Sequence, residues 1–87
     1  MENNVIIDVR EPEEYDRGHV VGSINIPPSE LMSGAKQLIE VPKDTEIIVY
    51  CVSGARSRAA IQILTGMGYT NLINGINQDH VTKNYLA

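Results

Sequence analysis

The stretch Glu46-Ile47-Ile48-Val49-Tyr50 constrains this chain more than any other. A strand with one face in water alternates apolar and polar side chains. A strand that is apolar at nearly every position must be covered on both faces, as in the middle of a parallel sheet flanked by helices. The surrounding pattern agrees with that setting. Val5–Val9 reads as a first strand and Glu11–Arg17 as a short helix, with Pro12 at its first position, acidic residues in its first turn and Gly18 to end it. Ser23–Ile26 reads as a second, weaker strand stopped by Pro27-Pro28. Ser29 is expected to cap a helix to about Ile39, with Leu31, Ala35, Leu38 and Ile39 on one face.

Pro42-Lys43-Asp44 is a turn before the central strand. Beyond that strand, a helix is expected from about Ser57 to Met67. Ala60, Ile63, Leu64 and Met67 form its apolar stripe, and Gly68 its C-cap. Asn71-Leu72-Ile73 reads as a last short strand, and Asn74–Ala87 has a weak pattern with room for a helical turn. Strands alternating with helices give an α/β domain with a mainly parallel sheet. The length of 87 residues suits one domain over residues 1–87.

Composition removes several function classes. A net charge of −4 argues against nucleic-acid binding, which needs a basic face. The single cysteine forbids an internal disulfide and a cysteine metal cluster. His19 and His80 lie too far apart in sequence to suggest a ligand pair, so neither metal nor cofactor is expected. No apolar run approaches the roughly 20 residues that span a bilayer, so no membrane segment is expected. Met1-Glu2-Asn3-Asn4 is polar and lacks the basic start and apolar middle of a secretory signal. The cytoplasm is the default compartment, and the periplasm the alternative where a signal has been removed.

Chemistry is expected at Cys51-Val52-Ser53-Gly54-Ala55-Arg56-Ser57, between the most buried strand and the best helix. Ligands of open α/β sheets bind beyond the carboxyl ends of the strands, where this loop must lie. Small residues at Ser53, Gly54 and Ala55 let the backbone curl, turning N–H groups inward. The following helix adds the positive end of its dipole. An anion-binding nest with a sulfur at its centre results. Such surroundings lower a thiol's pKa from about 8.5, so more of it is thiolate at neutral pH. Cys51 is the expected nucleophile and the loop amides its stabilisers. Arg56 would orient an oxyanion and favour the thiolate, with Arg58 a weaker candidate for the same rim. A lone cysteine after an apolar strand is often only a small buried hydrophobe. The glycine, arginine and serine beside this one are hard to explain as packing.

This loop resembles the active-site loop of the rhodanese family, a Cys-x-x-Gly-x-Arg-Ser pattern. Asp8-Val9-Arg10, Glu14-Tyr15, Gly18-His19, Gly22 and Asn25-Ile26-Pro27 look like the family's N-terminal signature, in order and spacing. Leu64, Gly68-Tyr69 and Asn71 are similar to the stretch after the catalytic helix. The resemblance implies a three-layer α/β fold, a small parallel sheet flanked by helices, and thiosulfate sulfurtransferase activity. Cys51 would take a sulfur from thiosulfate or a similar anionic donor as a persulfide. It would then yield it to cyanide or a thiol, including that of a thioredoxin-like protein. Cys51 and Arg56 would be catalytic, and Val52, Ser53, Gly54, Ala55 and Ser57 would bind the substrate.

Asp8, Arg10 and Glu14 are expected to make ion pairs and hydrogen bonds that fix the first strand and helix. His19 is expected to be structural, and His80, outside the match, to lie on the surface. One departure stands out. Where the family has paired glycines near the mouth of the site, this chain has Asn74-Gly75-Ile76-Asn77. Two other functions compete. A cysteine phosphatase or arsenate reductase uses a similar cysteine–arginine loop, but a longer one than the four residues between Cys51 and Arg56. A non-enzymatic docking or sulfur-carrier module could keep the fold, although a pure docking module has no need of Cys51 and Arg56.

Overall fold

The computed structural model describes residues 4–86; the expectations that fall on residues 1–3 and on Ala87 lie outside them. Four strands form one parallel sheet: β1 (Val5–Asp8), β2 (Ile24–Asn25), β3 (Ile47–Tyr50) and β4 (Leu72–Ile76), in the order β2-β1-β3-β4. Helices α1 (Pro12–Arg17), α2 (Pro28–Met32), α3 (Ala55–Gly66) and α4 (Gln78–Tyr85) surround it. The expected α/β architecture is present.

Burial of β3 follows from its sequence. Ile47 and Val49 face a core closed by Leu31, Leu38, Ala60 and Leu64, while Ile48 and Tyr50 face a second core with Val20 and Val81. Side chains of a strand alternate between its faces. A strand apolar at every position therefore requires both of these layers. Gly75 is needed for the second of them. A Cβ there would lie 2.6 Å from Val81 Cγ2 and 2.9 Å from Ile48 Cγ2, so only glycine lets α4 close on the sheet.

Four expectations are corrected. The helix expected over Ser29–Ile39 is broken into α2 and a single 3-10 turn, Lys36–Leu38. Its backbone turns left-handed at Gly34 and at Ala35, where φ is 48°. Leu31, Ala35 and Leu38 still reach the core, whereas Ile39 is 84% exposed and does not. Pro27, not Ser29, is the N-cap, with Pro28 at the first helical position that suits a residue lacking an N–H. Second, α3 begins two residues early, because Gly54 takes φ 94° at its N-cap. Third, the last strand extends to Ile76 and is followed by a complete helix. Asn77 caps α4 by accepting the His80 N–H at 2.8 Å. Fourth, His80 is half-buried, its ring tilted against that of Tyr85.

At the carboxyl ends of β1 and β3 a buried polar network joins the strands. Arg10 Nε and Nη2 donate to the two oxygens of Asp8 at 2.9 and 2.7 Å, and Arg10 Nη2 also reaches Gly18 O. The Tyr50 hydroxyl donates to Asp8 at 2.8 Å and accepts the Val20 N–H at 3.0 Å. Asn25 Nδ2 binds the carbonyls of Asp8 and Arg10, tying β2 to the same corner. The structural role expected of Asp8 and Arg10 is met. His19 stacks on Tyr15 and bonds its carbonyl, the structural part expected of it. No helix among the described residues is long and apolar enough to cross a membrane.

Candidate active site

Asp8, Tyr50 and Ile76 end three adjacent strands at one level. Cys51 follows Tyr50 directly, and its N–H is held by Ile76 O at 3.1 Å. The residue is only 2% exposed. From there the chain curls through Val52, Ser53 and Gly54 into the first turn of α3. The left-handed conformation of Gly54 makes that curl possible. It brings the Gly54 N–H to 3.2 Å and the Ser57 N–H to 3.4 Å from Cys51 Sγ, with Ser57 Oγ at 3.6 Å. The nest expected from the spacing is formed, with sulfur at its focus.

Burial pushes the Cys51 thiol up, but donors in the loop outweigh it. The Ser57 hydroxyl and the N–H groups of Ser57, Gly54 and Ser53 hold the thiol down at about 7. Among the predicted binding residues, Gly54 and Ser57 are buried against the sulfur, while Val52, Ser53 and Ala55 form the exposed lip of the loop. Arg58 points to solvent.

Arg56 has a partner that its expected role did not include. Its Nη1 and Nη2 donate to the two carboxylate oxygens of Glu14 at 2.8 and 3.1 Å. The bond from Arg56 holds Glu14 down at about 2, helped by the Glu11 N–H, so the pair stays charged across the working range. Arg56 is favoured as a cation first by Glu14, against burial, and then by the charges of Glu14 and Cys51. The hydrogen bonds of the loop, rather than Arg56, do most of the lowering at Cys51. Glu14, expected only to fix the first helix, reaches across to hold the arginine of the active-site loop.

Asn74 is the residue that sequence reasoning missed. Its Oδ1 accepts the Ser57 hydroxyl at 2.6 Å and its Nδ2 donates to Gly54 O at 3.1 Å, so β4 is fastened to the start of α3. Its place in the unusual Asn74-Gly75-Ile76-Asn77 stretch was the only available signal. Among the described residues, no group of three or more His, Cys, Asp or Glu side chains is arranged to hold a metal ion.

The family model described as a rhodanese-like domain matches residues 1–78. The chain belongs to the rhodanese family. Thiosulfate sulfurtransferase PspE of Escherichia coli is 44% identical over 68 residues, covering 78% of this chain and 64% of PspE. A sulfurtransferase of Allochromatium vinosum is 32% identical over 73 residues, covering 84% of this chain and 65% of its own. The chain thus spans just under two thirds of these relatives. A solved rhodanese with anions from E. coli superposes with a TM-score of 0.78 at 38% identity, over 88% of this chain and 89% of its own. The rhodanese fold expected from the motifs is therefore the fold observed.

Proposed function

We propose that this rhodanese domain is a sulfurtransferase that moves a sulfane sulfur through a persulfide on Cys51. One observation carries the reading: two N–H groups and a hydroxyl converge on a sulfur whose thiol is held at about 7. A thiol held there is more ionised at neutral pH than a free one at about 8.5, and the thiolate is the nucleophile. With thiosulfate as donor, Cys51 Sγ attacks the outer sulfur. A new S–S bond forms, the old one breaks, and sulfite leaves with its electron pair. An acceptor such as cyanide or a thiolate then attacks the outer sulfur, and Cys51 leaves as thiolate. Sulfite is already a stable anion, so no general acid is required. That suits a site whose nearby carboxylate, Glu14, is committed to Arg56.

In this reading Arg56 and the lip residues Val52, Ser53 and Ala55 meet the anionic donor. A guanidinium bound end-on to Glu14 keeps Nε and one N–H on each terminal nitrogen for an oxyanion. A thioredoxin-like protein thiol is a fitting acceptor, because the loop stands at the domain surface. The four-residue spacing from Cys51 to Arg56 favours a single added sulfur over a tetrahedral phosphoryl or arsenate group.

The test is the intact mass of the reduced protein before and after brief exposure to thiosulfate. A gain of one sulfur atom, removed again by cyanide, is expected. A folded protein that gains nothing from thiosulfate or from other sulfane donors would overturn the reading.

The pH dependence follows from the lowered thiol. Only the thiolate attacks, so uptake should fall as pH drops through about 7 and level off above it. Initial rates of sulfur uptake across pH 5 to 9 check this. A midpoint near the free-thiol value of about 8.5 would show that the loop does not activate Cys51.

A further inference from the structure

Asn74 on β4 binds three groups at once. Its Oδ1 accepts from the Ser57 hydroxyl at 2.6 Å and from the Ile76 N–H at 3.0 Å, while its Nδ2 donates to Gly54 O at 3.1 Å. Ile76 has φ 72°, a left-handed conformation that a β-branched residue rarely adopts. The bond from its N–H back to Asn74 closes an Asx turn that holds it there. Ile76 O in turn holds the Cys51 N–H.

The Ser57 hydroxyl has a single proton to give. Its oxygen lies 2.6 Å from Asn74 Oδ1, 3.1 Å from Gly54 O and 3.6 Å from Cys51 Sγ. While Cys51 is a thiol, its S–H can donate to Ser57 Oγ and Ser57 can donate to Asn74, which satisfies the whole chain. Once Cys51 is a thiolate, the sulfur needs donors, and the Ser57 proton can serve it only by leaving Asn74. We infer that Asn74 is a positioning residue that competes with the Cys51 thiolate for the Ser57 proton, and so limits how much thiolate the resting protein holds.

The part this plays in a reaction cycle rests on the sulfur transfer proposed above. In the persulfide the charge sits on the outer sulfur, and the Ser57 proton stays with Asn74. When the acceptor removes that sulfur, charge returns to Sγ and the proton swings to it. No proton is gained or lost in the swing, so it follows the charge at no chemical expense.

The charged groups around Cys51 are few. Arg56 belongs to α3, with Glu14 of α1 bound to it and Glu11 beside them. Asp8 at the end of β1 and Arg10 just beyond it pair with each other. β4 carries no ionisable side chain, and α4, with Asp79, His80 and Lys83, packs through Val81 on the opposite face of the sheet. Neutral substitutions at 74 and 57 leave all of these unchanged.

The experiment titrates the Cys51 thiolate by its ultraviolet absorbance in the parent, Asn74→Ala, Ser57→Ala and the double variant. Asn74→Ala should lower the midpoint by about half a pH unit, giving roughly threefold more thiolate well below it. Ser57→Ala should raise the midpoint, and adding Asn74→Ala to it should change nothing further. Asn74→Ser, whose short hydroxyl still offers Ile76 an acceptor, replaces the alanine variant if that one does not fold. A midpoint that rises, stays fixed, or shifts equally with and without Ser57 overturns the inference. Sulfur uptake by mass in the same proteins is the separate readout: its absence, with midpoints as expected, sinks the proposed transfer and leaves the competition standing.

Discussion

Serine at position 51 is expected to abolish sulfur transfer, lowering thiosulfate-to-cyanide turnover by roughly a thousandfold or more. The substitution changes one atom at a site that is 2% exposed, and the Gly54 and Ser57 N–H donors still have an oxygen to bind. Fold and anion binding should therefore survive. What is lost is the nucleophile. A serine hydroxyl ionises far above the thiol, and the loop offers no base to take its proton. Glu14 is the carboxylate nearest the loop's arginine, and it is already bound to it. The measurement is thiocyanate formation alongside far-ultraviolet circular dichroism. Near-parent turnover from a folded Cys51→Ser protein would mean that the sulfur is never carried on residue 51.

The largest effect on stability is expected at Asp8. Its side chain is fully buried and accepts from Arg10 N, Nε and Nη2 and from the Tyr50 hydroxyl. Asp8→Ala leaves a guanidinium at 7% exposure without its counter-charge and a buried phenol without its acceptor. Breaking a buried pair by deleting one partner costs about 3–5 kcal/mol. A small domain has a total stability near the low end of about 5–15 kcal/mol, so much of it would go. Urea unfolding should show a midpoint far below the parent's, or no folded baseline at all. A loss under about 1 kcal/mol would mean that Arg10 and Tyr50 find water or other partners, and that the network is less dry than its burial indicates.

The elements that the sequence announced are those whose signals are local. The run Ile47–Tyr50 states its burial on both faces, and Pro12 with the acidic residues after it states the start of α1. The loop Cys51–Ser57 was legible for the same reason, since its curl is made by residues adjacent in the chain. The failures are of another kind. Nothing in Ser33-Gly34-Ala35 says that Ala35 turns left-handed, and the helical spacing of apolar residues runs on across the break. The Glu14–Arg56 pair and the three bonds of Asn74 join residues far apart in sequence, and only the assembled sheet brings them together. The roles read for Glu14 and Arg56 were therefore incomplete, while Cys51, Gly54 and Ser57 stand where the spacing put them.

The strand order has a consequence for when the setting of Cys51 is complete. β1 pairs with β2 and β3, and β3 pairs with β4, every partner lying across a crossover rather than a hairpin. No pair of strands can therefore form early from neighbouring residues alone, and such sheets assemble slowly. On the ribosome Cys51 emerges well before Asn74 and Ile76, the β4 residues that hold its backbone and its loop. Until that last strand docks, the Cys51 N–H and the Gly54 and Ser57 groups that Asn74 fastens lack these partners. The complete setting of Cys51 is therefore a property of the closed sheet, not of its loop alone.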